Sequence, residues 1–559
     1  KKKKNKNLIE KIEDDVNNTH TILETAIGAA DGFQISRKNI NDMHHTSNVL
    51  FNILRGGVFL SNYDINLNDF YLFIKSRNKL VFHENIKEIQ KLKSPLTLYD
   101  LQNLSRTVTD PSLKRLYLEY LPLILARRHG DPSRPWNHFE IRMKKKDGSQ
   151  RFFYEGNWRD IFQNWEALGQ SYPLIWESIA SKFLNAITVD GFNPYRLNSK
   201  GIDWEIIDPE DTWSFIGYWN DHQVIYLLKI LENFHRHYPS KLEALLIDSV
   251  FSYANVPYQI KTFDQILSNP KATIQFDFAK NEKINELVKK IGGDGKLVLD
   301  KNNRVYHACL LEKFLIITIA KICNLIPNAG IWLNTQRPEW NDANNALVGY
   351  GTSMVTVFYL HRFLIFFKKI ISKAKYNSAN ISAEVYILFG DIYSLMKNKY
   401  PDDNKTFLKM GQKFSDYRQI IYKKSFSDKK SIKLKEILNF IILSIELLEK
   451  SISSNKKDNG LFHAYNTVDF KHKTKNITIQ HLPLMLEGQV AALSSNKLNI
   501  NETIKLLENL YTSDLFRKDM KSFTLYPEKK ITPFLEKNII PFGLINESSL
   551  VQSMVNEKN

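Results

Sequence analysis

The sequence predicts a helix-dominated fold in which paired helical hairpins close into an α/α toroid. Apolar residues recur at helical spacing in many segments. Val224, Leu227, Leu228 and Leu231, for example, fall on one face of a helix. Polar loops rich in reactive side chains separate these segments, as expected when hairpins present their connections at one end. No short-period repeat is visible, which disfavours a solenoid.

The predicted helices follow one another along most of the chain. The N-terminal part contains a charged lead-in to a short helix over 1–25 and helices over 85–93 and 98–128. Beyond them, the pattern predicts helices over 158–169, 173–187, 221–237, 240–253, 278–291, 309–325, 350–374, 380–398, 404–424, 431–452, 480–494 and 500–511.

Small β-hairpins interrupt this helical series. One is predicted to turn at Asp147-Gly148, and a second lies in the stretch that starts at Lys296. Directly before the second stands GGDG (Gly292–Gly295), which lacks the Lys-Ser/Thr of a phosphate-binding loop. We therefore interpret GGDG as the start of that hairpin.

Composition excludes several classes of protein. The chain has 559 residues and 43% apolar content, which allows a large core and excludes a largely disordered chain. Only two cysteines occur, Cys309 and Cys323, both among apolar neighbours. We expect no disulfide, no metal site and a reducing, cytoplasmic location. No signal peptide or transmembrane span is visible, so we expect no membrane partner.

The net charge of +17 comes mostly from lysines scattered among asparagines, as in Lys1–Asn7 and Lys423–Lys435. This distribution indicates a solvated surface. Because no recognised nucleic-acid motif accompanies the charge, we expect no nucleic-acid partner. The chain starts without methionine and ends in polar residues, and we expect it to be a piece of a longer polypeptide.

One stretch, Thr335–Gly349, combines side chains that can carry chemistry. Its acidic pair is Glu339 and Asp342, and an indole, an arginine and three amides accompany that pair: Trp340, Arg337, Asn341, Asn344 and Asn345. Proline and asparagine predict a loop, and long apolar helical runs stand on both sides of it. A carboxylate-bearing loop between buried helices is where a helical scaffold would present catalytic groups.

Three other loops share this mixture of tryptophan, asparagine, arginine and carboxylate: Gly156–Gly169, Gly191–Ile206 and Trp213–Gln223. Carboxylates, amides and guanidinium groups hydrogen-bond the hydroxyls of a sugar, while aromatic faces cover its C–H face. Each loop alone is also explained by packing and capping. Asp221, for example, precedes an apolar helix and is a candidate N-cap. The recurrence of the mixture favours carbohydrate binding.

Four segments follow a known order and approximate spacing: EWNDANNALVG (Glu339–Gly349), RDIFQN (Arg159–Asn164), WNDHQVIYLL (Trp219–Leu228) and GTSMVTVFYL (Gly351–Leu360). They resemble, in turn, the GDWNDGMN-type signature, the RDxxQD segment, the acidic loop that opens a barrel helix and the helix after the catalytic loop in cellobiose-phosphorylase-type enzymes. These enzymes form glycoside hydrolase family 94. The β-1,3-glucan phosphorylases of families 149 and 161 are the alternative relatives, and the similarity covers roughly Arg134–Leu510.

The resemblance implies an (α/α)6 barrel, a six-hairpin glycosidase-like toroid, over residues 141–515. It leaves a helical linker or N-terminal region at 1–140 and an exit segment at 516–559. The family also carries an N-terminal β-sandwich and a small β-domain after the barrel, and neither is recognised in this sequence. We therefore expect either a companion chain that supplies these β-domains or a homodimer.

The implied reaction is inverting phosphorolysis of a β-glucosidic bond in a β-glucan or gluco-oligosaccharide, which gives α-glucose 1-phosphate. Asp342 would act as the general acid on the glycosidic oxygen, and a neighbouring Glu339 or the indole of Trp340 would keep it protonated. Inorganic phosphate is the co-substrate and arrives already anionic, so no second catalytic carboxylate and no cofactor are required.

The resemblance also implies binding roles. Arg159 and Asp160 would hold the sugar at the cleaved subsite, although a salt bridge at a helix start explains the same pair. The substrate-binding set is completed by Trp158, Gln163, Arg196, Trp219, Asp221, Arg337, Glu339, Trp340 and Asn341. The candidates for phosphate binding are His463 and Thr467 in the segment GLFHAYNTV, which matches the phosphate-binding segment of the family loosely. Asn164 stands where the family has Asp, so one hydroxyl contact is expected to differ.

Two other functions fit the same residues. One is an inverting glycoside hydrolase on the same barrel, with Glu339, Asp221 or Glu487 as the base that activates water. The other is a non-catalytic carbohydrate-binding subunit of a larger assembly. Phosphate-dependent release of a sugar 1-phosphate separates phosphorolysis from both.

Overall fold

Helices make up most of the structure, a computed structural model that describes residues 2–55, 58–59, 64–124, 145–148, 151–207, 210, 218–219, 223–335, 347–398, 403–470, 477–528 and 531–557. The helices of the N-terminal part are α1 (Lys2–Asn17), α2 (Thr19–Ala29), α3 (Asn39–Arg55), α4 (Leu67–Arg77), α5 (Lys79–Glu84), α6 (Ile86–Ile89), α7 (Leu98–Leu104) and α8 (Pro111–Glu119).

The later helices are on average longer. They are α9 (Trp158–Ser171), α10 (Trp176–Asn185), α11 (Gln223–His237), α12 (Pro239–Leu245), α13 (Phe263–Ser268), α14 (Phe278–Ile291), α15 (Leu310–Ile322), α16 (Met354–Lys373), α17 (Ala383–Lys397), α18 (Asp403–Lys423), α19 (Leu434–Ser454), α20 (Leu486–Ser494), α21 (Ile500–Tyr511), α22 (Phe534–Lys537), α23 (Phe542–Ile545) and α24 (Ser549–Asn556). Short 3₁₀ turns span Pro173–Ile175 and Gly293–Lys296.

The strands are short and form small antiparallel sheets. They are β1 (Val58–Phe59), β2 (Leu123–Ile124), β3 (Glu155–Asn157), β4 (Asn193–Pro194), β5 (Arg196–Asn198), β6 (Gly201–Asp203), β7 (Tyr218–Trp219), β8 (Tyr258–Ile260), β9 (Ile274–Phe276), β10 (Leu325–Ile326), β11 (Gly330–Trp332), β12 (Gly351–Ser353), β13 (Ser378–Ser382), β14 (Lys429–Lys433), β15 (Tyr465–Asp469), β16 (Thr478–His481), β17 (Phe516–Arg517) and β18 (Ser522–Phe523). The largest sheet among the described residues has the order β10-β11-β12-β15-β16, and β3-β5-β6 form another.

Three long helices connect the five-stranded sheet to the two-stranded β13–β14 sheet. Helix α16 starts directly after β12 and ends shortly before β13, and α19 starts directly after β14. The side chain of Asn455, just after α19, donates to the carbonyl of Asn328 in the β10–β11 turn at 2.8 Å. Near the start of α15, Glu312 accepts from the backbone N–H of Ser382 at 3.0 Å. The five-stranded sheet and the β13–β14 sheet therefore lie at opposite ends of these helices, about 30 Å apart for a 20-residue helix such as α16.

The core lies between these helices. Helix α16 packs against α11, α19 and α20, and α11 packs against α10. Phe314 on α15 stacks on Phe367 of α16, with ring centroids 4.2 Å apart. Cys309 and Cys323 are buried free thiols, as the sequence predicts. None of the described helices combines the length and the apolar character that a membrane crossing requires.

The helix-dominated class predicted from the sequence is confirmed, while the closed ring of six hairpins stays a prediction. Several helix boundaries were wrong. The helix predicted over 98–128 is divided into α7 and α8, because Asp110 caps a new helix whose first residue is Pro111. The starts predicted at 350, 380 and 431 belong to the turn-and-strand segment ending in β12 and to strands β13 and β14.

Of the first predicted hairpin the structure describes the turn at 145–148 and residues 151–154, while residues 149–150 lie outside its described part. Lys145 accepts from the N–H of Gly148, which has φ +85°. The second hairpin has a single bridge, between Leu299 and Val305. GGDG is wrongly assigned as the start of that hairpin, because residues 293–296 form a 3₁₀ turn that buries Asp294.

Candidate active site

The predicted catalytic loop connects two neighbouring strands of the five-stranded sheet. Strand β11 leads into it and β12 follows it, with Trp332 paired to Thr352. Residues 336–346 lie outside the described part of the chain, and with them Arg337, Glu339, Trp340, Asn341 and Asp342. The structure therefore describes the base of the loop and not its acidic pair.

The base of this loop is held firmly. The indole Nε1 of Trp332 donates to the carbonyl of Gly349 at 2.8 Å, and the N–H of Gly349 donates to the carbonyl of Leu333 at 3.0 Å. Gly349 has φ +79°, and a Cβ built on it would come within 2.1 Å of the carbonyl oxygen of Pro270. Only glycine fits this conformation and this spacing. The two ends of the loop are thus fixed on a buried scaffold.

The predicted phosphate residues lie beside the same hairpin. Strand β15 pairs with β12 and sets Thr467, which is half-buried, opposite Gly351. His463, also half-buried, precedes β15, and its Nδ1 lies 3.1 Å from the carbonyl of Leu482. Burial and the nearby His481 and Lys457 lower the pKa of His463. The sheet thus brings the predicted phosphate residues next to the strand that follows the predicted acid.

The residues around Trp158 form a second group. Trp158 starts α9 and is 2% exposed, and its ring packs edge-on against Phe183 with centroids 5.0 Å apart. Its N–H donates to the carbonyl of Tyr195 at 3.3 Å, which fixes the start of the helix to the neighbouring loop. In this structure the Trp158 ring therefore contributes to the core. Its neighbours Arg159, Asp160 and Gln163 follow on α9, and their side chains lie outside the described part.

Arg196 is paired with carboxylates rather than left open to solvent. Its Nη2 lies 2.7 Å from Glu155 Oε1 and 3.9 Å from Asp203 Oδ2, across the β3-β5-β6 sheet. Trp219 stands on β7 with its backbone opposite Asn193, and its side chain is not described. Asp221 lies outside the described residues. The substrate-binding roles of these residues stay predictions.

Glu487, the alternative base for hydrolysis, is half-buried on α20. The hydroxyl of Tyr465 donates to Glu487 Oε2 at 2.8 Å. Because Tyr465 is on β15, this carboxylate also lies next to the five-stranded sheet. No group of three or more His, Cys, Asp or Glu side chains within the described part of the chain could hold a metal ion.

A buried charge network lies below the Trp158 turn, and the sequence analysis did not identify it. Glu119 pairs with Arg77 and with Arg115, and Asp294 of the GGDG turn pairs with the same two arginines. Lys182 and Asn185 at the end of α10 add contacts of 3.4 and 3.0 Å to Glu119. These charged side chains are at most 4% exposed. Charged residues within apolar helical stretches were the only sequence signal for it.

This network connects the N-terminal part to the predicted substrate turn. A small void is lined by Arg77, Glu119, Lys182, Asn185 and Trp158. Burial raises the pKa of Glu119, but Arg77, Lys182 and Arg115 outweigh burial and hold it well below its usual range. Burial lowers the pKa of Lys182 to about 8 against the attraction of Glu119. The network can hold α8, α10 and the start of α9 in one arrangement.

A large cleft of about 1100 Å³ lies at the other end of the long helices, next to β14. Its lining includes Glu84, Arg304, His307 and Lys429, and Glu84 accepts two hydrogen bonds from Arg304 at 2.5 and 2.6 Å. None of the predicted site residues that the structure describes lines it. The cleft is therefore separate from the described residues of the candidate active site.

Residues 59–122 match the family model described as glycoside hydrolase family 149 insertion domain 1. The matched segment contains α4 to α8 and therefore Arg77, Arg115 and Glu119 of the buried network. A comparison with curated proteins gives no match. The match is thus limited to a part of the N-terminal region and makes that part similar to a domain of carbohydrate-active enzymes.

Proposed function

We propose that the protein is a glycoside phosphorylase of the family 149 type, which cleaves a β-glucosidic bond of a β-glucan or gluco-oligosaccharide with inorganic phosphate. The observation that carries the proposal is the match of residues 59–122 to the family 149 insertion domain. It agrees with the alternative relationship inferred independently from motifs elsewhere in the chain. A placement in family 94 has no comparable support.

The geometry of the five-stranded sheet supports this reaction. Phosphorolysis needs an acid on one face of the sugar and phosphate on the other. The loop that contains Asp342 leaves and re-enters the sheet through β11 and β12, and β15 with Thr467 is the next strand. Asp342 is proposed as the general acid, and His463 and Thr467 as phosphate-binding residues. This arrangement lets one small sheet carry both halves of the reaction.

The proposed sugar-binding residues divide between two supports. Those near the acid belong to the β11–β12 loop. Arg159, Asp160 and Gln163 belong to the first turns of α9, beside the β3-β5-β6 sheet that carries Arg196. A glucosyl unit bound between the two would have its cleaved bond near Asp342. Trp158 supports this turn from the core.

The test is a comparison of product formation with and without phosphate. The protein is incubated with β-1,3- and β-1,4-linked gluco-oligosaccharides in phosphate buffer and in a phosphate-free buffer at the same ionic strength. We expect glucose 1-phosphate only in phosphate buffer. Reducing sugar formed equally well without phosphate would identify a hydrolase, and oligosaccharide binding without turnover in either buffer would identify a binding subunit.

A further inference from the structure

Two histidines stand face to face beside the predicted phosphate residues. The rings of His463 and His481 are stacked, with centroids 4.3 Å apart and planes inclined by 13°. His463 precedes β15, and His481 is the last residue of β16, opposite Asn466. The sequence motif pointed instead to Thr467 as the companion of His463. Side chains alternate along a strand, so Thr467 lies on the opposite face of the sheet from Asn466.

The hydrogen bonds of the two rings fix which nitrogen carries hydrogen. His463 Nδ1 lies 3.1 Å from the carbonyl of Leu482, and a carbonyl can only accept. His481 Nδ1 lies 2.7 Å from Asn466 Oδ1. The Nδ2 of Asn466 donates to the carbonyl of Ala329 at 2.6 Å and to Asn455 Oδ1 at 2.8 Å, which identifies the other amide atom as oxygen. Both Nδ1 atoms therefore donate, and Nε2 is the atom that each ring offers to a ligand.

We propose that His463 and His481 together bind the inorganic phosphate, with Asn466 as the positioning residue that sets the tautomer of His481. This inference rests on the proposed phosphorolysis. It keeps His463 and puts His481, held by Asn466, in the place of Thr467. Hydrogen phosphate has anionic oxygens and one P–OH group. An imidazolium Nε2–H donates to an anionic oxygen, and a neutral Nε2 accepts from the P–OH, so a pair that shares one extra proton offers both contacts.

The charges around the pair agree with an anionic ligand. A positive charge on one ring opposes protonation of the other, and Lys457 adds a further positive charge near His463. An anion bound at the two Nε2 atoms would offset this repulsion.

The position of the pair also suits the reaction. Strand β16 is two strands from β12, which corresponds to about 10 Å. The first N–H of α16, at Met354, donates to the carbonyl of Ala464 at 2.9 Å and fixes the residue after His463 to the strand that follows the predicted acid. The pair is thus held on the same framework as the loop that contains Asp342.

The test uses two substitutions of His481, each of which places an amide nitrogen at the position of one of the two ring nitrogens. In His481→Asn, the amide nitrogen replaces Nδ1 and keeps the contact to Asn466 but offers nothing at Nε2. In His481→Gln, the amide nitrogen reaches the Nε2 position. We expect His481→Asn to raise the KM for phosphate about 10- to 100-fold, the effect of losing one charge-assisted hydrogen bond. We expect His481→Gln to retain part of the affinity, and the KM for the oligosaccharide to stay within about twofold in both. His20→Asn, at an exposed position on α2, is the control and should change neither constant.

Titration calorimetry separates this inference from the proposed function. It measures the binding of inorganic phosphate to the same variants in the absence of sugar. Phosphate binding by the wild type that His481→Asn abolishes supports the pair even if no phosphorolysis occurs. Phosphorolysis with an unchanged phosphate KM in His481→Asn overturns the pair and leaves the function in place. An equal rise of both KM values, with a lower unfolding temperature, would show a structural role only. Tight binding of zinc chloride, with phosphate binding only when zinc is present, would identify a metal pair instead.

Discussion

The burial of Lys182 lowers the stability of the protein by an amount that depends on pH. Its ammonium group is buried, 3.4 Å from Glu119 Oε1 and 5.2 Å from the centre of the Tyr154 ring. Burial lowers its pKa to about 8, whereas a lysine in an unfolded chain titrates near about 10.4. Between these values the unfolded chain holds more protons than the folded one. The free energy of unfolding must therefore rise with pH across this window.

Replacing Lys182 by methionine should remove this dependence. The wild type is expected to gain on the order of 1–2 kcal/mol of stability between pH 8 and 9.5 from this group, and Lys182→Met should lack this gain. Denaturant unfolding of both proteins at several pH values measures the difference. Identical pH profiles would contradict the assigned burial of the charge. Lys241→Met is a suitable control, because Lys241 forms a 2.9 Å pair with Glu177 at a partly exposed position.

Asp342 carries the proposed chemistry. Asp342→Asn keeps the size of the side chain and removes the proton that the leaving oxygen requires. Loss of a general acid costs about 10²- to 10⁴-fold in turnover, so we expect kcat to fall by that factor with a nearly unchanged KM for the oligosaccharide. Steady-state kinetics measure this split, and Asn345→Ala in the same loop serves as the control. Unchanged turnover in Asp342→Asn would show that another group is the acid.

At the scale of elements, the β11–β12 hairpin fixes both ends of the loop that is proposed to be catalytic. Gly349 combines a positive φ with close contact to the backbone of Pro270, whereas Gly148 has a positive φ with open space around it. Substitution at both glycines therefore separates two free-energy costs: that of a positive φ in a residue with a side chain, and that of displacing the neighbouring backbone.

Gly349→Ala should destabilise the protein more than Gly148→Ala and should also lower turnover. The positive φ costs about 1–2 kcal/mol in each, and Gly349→Ala must in addition move the backbone below the loop. Thermal unfolding and kcat of both variants provide the test. Equal stability losses, with full turnover in both variants, would mean that the hairpin does not position the acid.

Elements with strong periodicity were predictable, and those set by distant contacts were not. The interior of α11 follows its apolar spacing, and α9, α14 and α21 begin and end close to the predicted residues. Strands β13 and β14 were included in helices, because their pairing connects residues about 50 positions apart and leaves no local pattern. The same limit applies to the site. The loop composition indicated sugar chemistry, but the stacking of His463 on His481 depends on a hairpin between β15 and β16.

At the scale of the molecule, the segment that matches the insertion domain is joined to the remaining helices through buried charges. Arg77, Arg115 and Glu119 come from this segment, and Lys182 and Asp294 come from outside it. Arg115 and Glu119 are four residues apart, but the other pairs of the network join residues 42 to 217 positions apart, which is why no local motif revealed the network. A complete buried ion pair changes the stability of a protein little. Removing one partner destabilises the protein strongly, because the other charge stays buried without compensation.

Glu119→Gln should therefore destabilise the protein by about 3–5 kcal/mol, because three buried cations lose its charge, while Asp294 pairs with Arg77 and Arg115 but not with Lys182 among the contacts described. Hydrogen exchange should show faster opening of α4, α8 and α10. Glu88→Gln removes an exposed pair with Lys91 and is the control, with an expected effect below about 1 kcal/mol.

Since the native pKa of Glu119 is depressed, the contribution of Glu119 to the free energy of unfolding should be complete above about pH 5 and should decline as the pH falls below about 4.3. A Glu119→Gln protein as stable as the wild type at pH 7 would contradict this account of the junction.

The most direct test of the central claim is the anomeric form of the first sugar phosphate released from a β-linked gluco-oligosaccharide, followed by proton NMR at early times. Inverting phosphorolysis with Asp342 as acid predicts α-glucose 1-phosphate as the initial product. Initial β-glucose 1-phosphate, or free glucose that forms without phosphate, would contradict the proposed mechanism.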